Sequence, residues 1–442
     1  MSGRTKAIAA KEDAAPALVP KLRFPDFRDA DGWKCESMDE IYSFKGNNSL
    51  SRDKLNYLAG SVKNIHYGDI HTKFSTHFDI IKESVPFIND SELGSIRDEN
   101  YCTEGDIVFA DASEDLEDIG KSIEIVNLNN ERVVSGTHTI LARQTGDHLV
   151  LGFGGHLFKS GWVRAQIQKE SQGSKVLGIS PTRLRNTLSP FPPDKKEQKK
   201  IADCLSSVDE LIVALARKLG ALKTHKKGLM QQLFPREGET QPRLRFPEFR
   251  DVAGWEAKTL KDISTINQGL QIPISKRFTE QVESSYFYIT NEFLRENSKS
   301  TYYIKNPQPS VICNENDILM TRTGNTGQVV TNVSGAFHNN FFKIKYSSKV
   351  DKNFYIYFLR SENTQRIILS LAGTSTIPDL NHGDFYKIEI AIPPTLAEQQ
   401  RIADCLTSLD DLIAAQTQKL EALKTHKKAL MQQLFPSPEV AI

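Results

Sequence analysis

A short polar segment, Thr321–Gly327 (TRTGNTG), carries side chains suited to recognising the edges of nucleic-acid bases. An arginine such as Arg322 can donate two parallel hydrogen bonds to guanine, and the amide of Asn325 can pair with adenine. Thr323 and Thr326 add hydroxyl groups, and the two glycines allow the backbone to approach a phosphate. The same composition is also typical of a solvated hairpin turn. The segment is therefore a candidate base-reading loop whose alternative is an ordinary surface turn.

Other small polar segments could meet nucleic acid in the same way. They contain His338, Asn339, Asn340, Thr374 and Ser375 in the second half of the chain, and Lys121, His138, Ser174 and Lys175 in the first half. His138 could equally be a buried core histidine whose ring nitrogens are satisfied. Lys121 and Lys175 are better suited to phosphate contacts, which fix position without reading sequence.

The chain lacks the short motifs that would let it catalyse a reaction on such a substrate. Amino-methyltransferases need an Asn/Asp-Pro-Pro-aromatic motif, whereas the Pro-Pro pairs here read FPPD and IPPT. Gly120-Lys121-Ser122 resembles the end of a phosphate-binding loop, but Asp115 stands where that loop needs its first glycine. The five cysteines form no CxxC pair, which argues against zinc, and their odd number argues against a disulfide framework. We therefore expect no catalytic and no metal-binding residues.

The polar candidates lie in two dissimilar stretches that are bracketed by duplicated elements. A box precedes each stretch, LRFPDFRDADGW at Leu22–Trp33 and LRFPEFRDVAGW at Leu244–Trp255. A 39-residue repeat follows each stretch, at Glu197–Pro235 and Glu398–Pro436, and the two copies match at 28 of 39 positions. The order predicts two different domains, each flanked by one copy of the box and one copy of the helix repeat. This arrangement suits a bipartite target.

Both repeats are expected to be long helices. Each begins after a Pro-Pro pair with a cap residue followed three positions later by a glutamate, Glu197 or Glu398, which is the spacing of a capping box. Apolar residues then recur at alternating steps of four and three over about five heptads, as in a coiled coil. Lys226 and Lys427 occupy corresponding places in this seam, where polar residues would fix the register, although most charge runs are solvated faces. The two seams most simply pack on each other, although such a stripe can also pack on its own domain's core.

The linker between the two halves indicates the direction of the helices. A 39-residue helix is about 58 Å long at ~1.5 Å per residue, whereas the linker Arg236–Arg243 spans at most about 28 Å. The second domain therefore starts near the far end of the first helix, and the second helix must run back antiparallel to it. This predicts an α+β fold with two α/β domains separated by two long antiparallel coiled-coil helices and related by a pseudo-two-fold axis.

Composition limits the functional classes. The 442 residues are 39% hydrophobic and 25% charged, without an apolar run long enough to span a membrane, so we expect a soluble cytoplasmic protein. The net charge of +1 is low for a protein that binds nucleic acid by bulk charge. Basic residues would have to be concentrated on one face or supplied by partners. The near-neutral charge also leaves open a non-DNA scaffold whose coiled coil joins two unrelated binding domains.

The whole arrangement resembles the specificity subunit of type I restriction–modification systems. The resemblance covers nearly the whole chain, and it is supported locally by the PPxxxEQxxIAxxL start of both helices and by DILMTRTG at Asp317–Gly324. It implies that each variable domain is a target-recognition domain that reads one half of a split double-stranded DNA sequence, with adenine as the methylated base. The candidate residues above would then be DNA-binding residues.

The resemblance also implies partners and a domain plan. The helices would set the spacer and dock two methyltransferase (M) subunits, and motor–nuclease (R) subunits would complete the restriction enzyme. S-adenosylmethionine, ATP and Mg²⁺ would be bound by these partners in a bacterial or archaeal cytoplasm, and this chain would not be catalytic by itself. The expected segments are a disordered tail at 1–20, recognition domains at 21–193 and 244–394, helices at 194–235 and 395–436, a linker at 236–243 and a tail at 437–442.

Overall fold

The computed structural model describes residues 18–295, 298, 300–373 and 377–437, and it divides into two compact units. Unit 1 runs to Leu215 and resumes at Lys419, and unit 2 is Ala216–Gln418. Each unit contains one variable domain, the first part of one long helix and the last part of the other. Of the predicted tails, residues 1–17 and 438–442 lie outside the described part of the chain.

Unit 1 contains short strands and helices ahead of the first long helix. The strands are β1 (Lys34–Ser37), β2 (Tyr42–Lys45), β3 (Leu55–Asn56), β4 (Lys63–Ile65), β5 (His77–Asp79), β6 (Phe87–Ile88), β7 (Ile107–Ala110), β8 (Ala112–Ser113), β9 (Ser122–Asn127), β10 (Val133–Ser135), β11 (Thr139–Gln144), β12 (Leu177–Gly178) and β13 (Leu188–Phe191). The helices are α1 (Met38–Ile41), α2 (Tyr67–Thr72), α3 (Phe153–Leu157), α4 (Gly161–Glu170), α5 (Pro181–Leu184) and the long α6 (Lys195–Leu233), whose last part belongs to unit 2.

Unit 2 contains a similar set of short strands and helices. Its strands are β14 (Glu256–Thr259), β15 (Ser264–Gln268), β16 (Ser285–Ile289), β17 (Tyr303–Lys305), β18 (Ile312–Cys313), β19 (Ile318–Thr321), β20 (Val329–Val330), β21 (Gly335–Phe337), β22 (Phe341–Tyr346) and β23 (Glu389–Ile392). Its helices are α7 (Leu260–Ile263), α8 (Lys352–Arg360), α9 (Glu362–Leu371), α10 (His382–Lys387) and the long α11 (Leu396–Leu434), whose last part belongs to unit 1. Within the described residues, no helix is both long and apolar enough to cross a membrane.

One sheet in each variable domain has the same order over its first four strands, although the sequences are dissimilar. The sheet of unit 1 has the order β2-β11-β7-β9-β5, and that of unit 2 has the order β15-β22-β19-β20. The first four strands of each are paired antiparallel in the same sequence of neighbours. Each domain also closes with a pair between its first and last strands, β1 with β13 and β14 with β23. The duplicated box and helix repeat therefore flank two domains that share this sheet order.

In unit 1 the first box holds the start of α6 through a buried ion pair. Arg23 Nε and Nη2 donate to the two carboxylate oxygens of Glu197 at 2.8 and 2.7 Å, and the two side chains are 6% and 1% exposed. The Leu22 N–H donates to the carbonyl oxygen of Gln433 in the last turn of α11 at 2.9 Å. The box thus joins the first turn of one long helix to the last turn of the other.

The second box makes equivalent contacts in unit 2. Arg245 Nε and Nη2 donate to Glu398 at 2.7 and 2.8 Å, and the Leu244 N–H donates to the Gln232 carbonyl oxygen at 2.9 Å. The indole N–H of Trp255 adds a third donor to Glu398 at 2.9 Å. Each copy of the box therefore binds the helix repeat that follows its own variable domain.

The two helices do not begin with the capping boxes that the spacing predicted. The arginines of the duplicated segments Leu22–Trp33 and Leu244–Trp255 bind the Glu197 and Glu398 carboxylates. These two glutamate side chains therefore do not turn back to cap their own helices. The caps are simpler: the Asp194 carboxylate accepts the Lys196 N–H at 2.8 Å, and the Thr395 hydroxyl accepts the Glu398 N–H at 3.3 Å. The helical stretches themselves agree closely with the predicted ones.

The antiparallel direction of the two long helices is confirmed within unit 1. Lys427 Nζ of α11 lies 2.5 Å from Asp209 Oδ1 of α6. Farther along α11, Leu434 is part of the same apolar cluster as Ile201, which lies earlier on α6. The contacting residues therefore have rising numbers along α11 and falling numbers along α6, as an antiparallel pair requires.

The predicted polar residues of the seam form ion pairs in both units. In unit 2 Lys226 Nζ lies 2.5 Å from Asp410 Oδ1, which corresponds to the Lys427–Asp209 pair of unit 1. The Tyr357 hydroxyl donates to the other Asp410 oxygen at 2.8 Å. Since a lysine and an aspartate recur at corresponding positions, a shift of one helix along the other would break both pairs.

Candidate nucleic-acid interface

The candidate segments of unit 2 meet at the end of strand β19. The Arg322 N–H donates to the Asn340 carbonyl oxygen at 2.7 Å, and the Leu380 N–H donates to the Arg322 carbonyl oxygen at 2.9 Å. The turn before β22 and the loop after α9 therefore flank the predicted reading loop. We call this the unit 2 surface, made of residues 321–327, 338–340 and 377–380. The predicted residues Thr374 and Ser375 lie outside the described residues.

Arg322 is held by a carboxylate on this surface. Its Nε and Nη2 donate to the two Asp379 oxygens at 3.1 and 2.6 Å, and the Thr323 hydroxyl donates to the same carboxylate. The guanidinium also lies 5.5 Å from the centre of the Phe342 ring, and the arginine side chain is only 16% exposed. Because Asp379 occupies Nε and one hydrogen of Nη2, a base can be met only through Nη1 and the second hydrogen of Nη2.

The other predicted residues of unit 2 differ in their exposure. Asn325 is exposed at the tip of the reading loop, whereas Thr326 is buried and its hydroxyl donates to the Pro378 carbonyl oxygen at 2.7 Å. Burial, with Arg277 nearby, lowers the pKa of His338 to about 4. Its Nδ1 accepts the Asn340 N–H at 3.1 Å, so the neutral ring shapes the turn. Asn325 is thus more accessible to a base than Thr326 or Arg322.

Unit 1 builds the same surface at the end of the corresponding strand, β7. The Asp111 N–H donates to the His138 carbonyl oxygen at 3.0 Å, and the Ile179 N–H donates to the Asp111 carbonyl oxygen at 2.9 Å. These bonds match those around Arg322, so Asp111 occupies the place of the arginine. We call residues 111–113, 136–138 and 172–179 the unit 1 surface.

His138 is exposed on the unit 1 surface, which rules out the core alternative. Its side chain is 57% exposed, Nδ1 lies 3.1 Å from an Asp111 oxygen, and the backbone has a φ of 55°. Ser174 and Lys175 are exposed at the tip of a loop that Gln172 and Gly178 close with reciprocal backbone hydrogen bonds of 2.9 and 2.7 Å.

Lys121 is bound by the protein itself. Its ammonium donates to the His71 carbonyl oxygen at 2.7 Å and lies 3.4 Å from Asp118. A phosphate would have to replace both. Sequence reasoning missed Asp111 and Asp379, which organise the two surfaces, because an acidic residue gives no signal for contact with a polyanion.

A buried carboxylate elsewhere in the core of unit 1 binds two backbone N–H groups. Glu124 on β9 is 2% exposed and accepts the backbone N–H groups of Gly152 and Gly155 at 2.7 and 2.6 Å. Burial raises its pKa to about 7 against the opposing effect of these two donors. At a pH between 4.5, the unfolded pKa, and about 7, the side chain therefore takes up a proton when the protein folds.

We expect Glu124→Gln to become progressively less destabilising as the pH rises from 5 to 8. A raised folded-state pKa means that the stability present below pH 4.5 is lost as the pH rises through about 7, and glutamine removes this dependence. A carboxyl pKa raised from 4.5 to about 7 corresponds to a change of about 3 kcal/mol in the stability difference between wild type and variant. Urea unfolding across this pH range measures it, and a difference independent of pH would contradict the assignment.

Comparisons with known proteins find sequences similar to this chain. Residues 253–425 match the family model of the type I restriction modification DNA specificity domain. The MjaVIII specificity subunit of a type I restriction enzyme from Methanocaldococcus jannaschii is 29% identical over 193 residues, which are 43% of this chain and 43% of that subunit. The MjaX specificity subunit of the same archaeon is 26% identical over 343 residues, 75% of this chain and 77% of that protein.

Solved structures show the same fold. The S subunit of the type I restriction–modification system from M. genitalium matches with a TM-score of 0.58 at 14% identity, covering 95% of this chain and all of that one. A structure described as the basis of complex assembly and conformational transition of the type I system matches with a TM-score of 0.56 at 17% identity, over 95% of this chain and 100% of its own. The fold thus defines an S-subunit architecture. The family model over residues 253–425, the curated relatives and this fold all support an S subunit.

Proposed function

We propose that the unit 1 and unit 2 surfaces each read one half of a bipartite double-stranded DNA site. The supporting observation is that two dissimilar sequences build one surface from the same three segments at the same strand end, between boxes and helix repeats that are nearly identical. Different side chains on a common framework suit two different half-sites. The chain would position DNA for adenine methylation without catalysing it.

The long helices would set the spacer and dock two M subunits, to which R subunits add restriction. S-adenosylmethionine, ATP and Mg²⁺ would belong to those partners, in the cytoplasm of a bacterium or archaeon. Native mass spectrometry of the chain co-expressed with its methyltransferase tests the docking. Two M subunits for each chain are the expected result, and a single M subunit or none contradicts it.

The alternative function is a scaffold that joins two binding domains without contacting DNA. The net charge of +1 is the observation that favours it. A mobility-shift assay of the chain with its methyltransferase over a range of salt separates the two. Retardation of duplex DNA that weakens as salt rises supports the specificity subunit, and its absence supports the scaffold.

Arg322→Ala is expected to reduce discrimination in one half of the site only. Either its base contact is lost or its hold on Asp379 is lost, and both lie on the unit 2 surface. A lost bidentate contact costs about 1–3 kcal/mol for the base concerned. The measurement is the affinity for each single-base variant of both half-sites.

Two variants serve as matched controls for this experiment. Asp379→Asn frees the arginine but keeps it, so it separates reading by Arg322 from support of the loop. Asp111→Ala removes the corresponding side chain of unit 1 and should affect the other half-site. Unchanged affinity ratios in Arg322→Ala would show that the unit 2 surface is assigned wrongly.

A further inference from the structure

A basic groove in unit 2 lies outside the unit 2 surface. It has a volume of about 620 Å³ and is formed by the end of α6, the linker that follows and the turn between α8 and α9. The cations that line it are Lys223, Lys226, Lys227, Arg236, Arg360 and Arg366. Its carboxylates are Glu237 and Glu362. Six positive and two negative groups line it, and Lys226 is also paired with Asp410, so the groove remains basic in a chain whose net charge is +1.

We propose that this basic groove binds backbone phosphates of the DNA next to the second half-site. The inference rests on the proposed function and adds a contact that supplies affinity without reading sequence. Lysine and arginine side chains bind phosphate oxygens through charge-assisted hydrogen bonds, and such contacts dominate the affinity of proteins for DNA. The groove would thereby compensate for the low overall charge.

Arg360 connects the basic groove to the unit 2 surface. It lines the groove and also lines a shallow depression formed by Gly324–Val329 of the reading loop. Its Nη2 lies 3.3 Å from the Val329 carbonyl oxygen. Gln365 of α9 donates to the Gly327 carbonyl oxygen at 2.8 Å, which ties the loop to the same helix. A DNA strand leaving the reading loop would therefore meet Arg360 and then the lysines of α6.

The corresponding place in unit 1 keeps four of the six cations. The α6 lysines recur in α11, and Lys159 stands where unit 2 has Arg360, since Ser160 and Ser361 each precede a ten-residue helix. The places of Arg236 and Arg366 are taken by Ser437 and Ala165, and that of Glu362 by Gly161. The choice of DNA as the occupant therefore rests on the continuity of the groove with the reading loop through Arg360.

Glu362 is an internal competitor for the bound anion. Its carboxylate lies 3.1 Å from Lys227 Nζ and accepts from Gln231 at 3.3 Å. The Lys227 and Glu362 side chains are 62% and 58% exposed, so this ion pair is weak and exchanges readily for a phosphate. Removing the Glu362 charge should therefore strengthen DNA binding.

The test uses the full chain with its methyltransferase and a 40-base-pair random-sequence duplex, with affinity measured by anisotropy from about 50 to 300 mM KCl. The triple variant Lys223→Gln, Lys227→Gln and Arg366→Gln should lower the slope of log Kd against log salt by about 2–3, because each lost phosphate contact contributes about 0.9. Glu362→Gln should bind about 2- to 5-fold more tightly. The control variant Lys261→Gln, Lys345→Gln and Lys349→Gln removes as much exposed charge from the same unit and should leave the slope unchanged.

Each other outcome has a definite meaning. An unchanged slope in the groove variant overturns the inference, and so does a loss of M-subunit assembly without a change of slope, which would make the groove a protein dock. An equal change in the control variant shows only a general charge effect and also overturns it. If the wild-type complex binds no DNA, the proposed function itself fails, which is a distinguishable result. Thermal melting checks that every variant folds.

Discussion

Replacing Arg23 with Met is expected to lower the free energy of unfolding of unit 1 by about 3–5 kcal/mol. The variant leaves the Glu197 carboxylate, which is 1% exposed, without its charged partner. Removing one member of a buried ion pair is costly because the remaining charge stays away from water. The double variant Arg23→Met and Glu197→Met should recover most of the loss, since two apolar side chains leave no buried charge. Urea unfolding read by hydrogen exchange of the amides in 195–205 measures both.

The corresponding ion pair of unit 2, between Arg245 and Glu398, supplies the matched control. Arg245→Met should cost less, because the Trp255 indole still donates to Glu398, whereas the Trp33 Nε1 of unit 1 has no hydrogen-bond partner in the described part of the chain. Hydrogen exchange of the amides in 396–406 reports this loss separately. An equal loss of unfolding free energy in the two units would show that the ion pair does not hold the helix. A double variant no more stable than Arg23→Met would show the same.

Replacing Leu219 and Leu420 together with Asp is expected to open the paired helices. The two leucines are 8% and 7% exposed in the seam, and a carboxylate buried there without a partner costs several kcal/mol. We expect a lower melting temperature, faster tryptic cleavage after Lys223 and Lys424, and loss of M-subunit binding.

Leu211→Asp and Leu412→Asp provide the control for the seam variant. These leucines also occupy corresponding helix positions, but they are 56% and 39% exposed. A substitution at exposed positions should change stability by no more than about 0.5 kcal/mol. If the control is as disruptive as the seam variant, or if neither exposes the helices to trypsin, the seam is assigned wrongly.

The repeated parts of the molecule could be predicted from the sequence, because their signals are local or duplicated. The apolar spacing of α6 and α11 and the short linker were enough for two antiparallel helices, and the places of Lys226 and Lys427 were enough for polar residues in the seam. The partners Asp410 and Asp209 were not predictable, since a carboxylate on a helix surface is more often solvated. The glutamates of the predicted capping boxes bind arginines more than 150 positions away, which no local pattern indicates.

The unit 1 and unit 2 surfaces were only partly predictable. Glycine-flanked polar segments identified the loops, but their meeting at the ends of β7 and β19 depends on sheet order, which the dissimilar sequences conceal. The same reasoning gave Arg322 as a free base reader, whereas Asp379 from a loop 57 residues later binds it. The sequence shows which hydrogen bonds a side chain can make. It does not show whether another side chain of the protein already binds it.

The central claim is that one chain reads a split DNA site through two surfaces. Selection from a library of randomised duplexes by the chain together with its methyltransferase tests it most directly. The predicted result is an enriched motif of two defined blocks separated by a spacer of constant length and unspecified sequence. A single contiguous block, or no enrichment at any salt concentration, would contradict the claim.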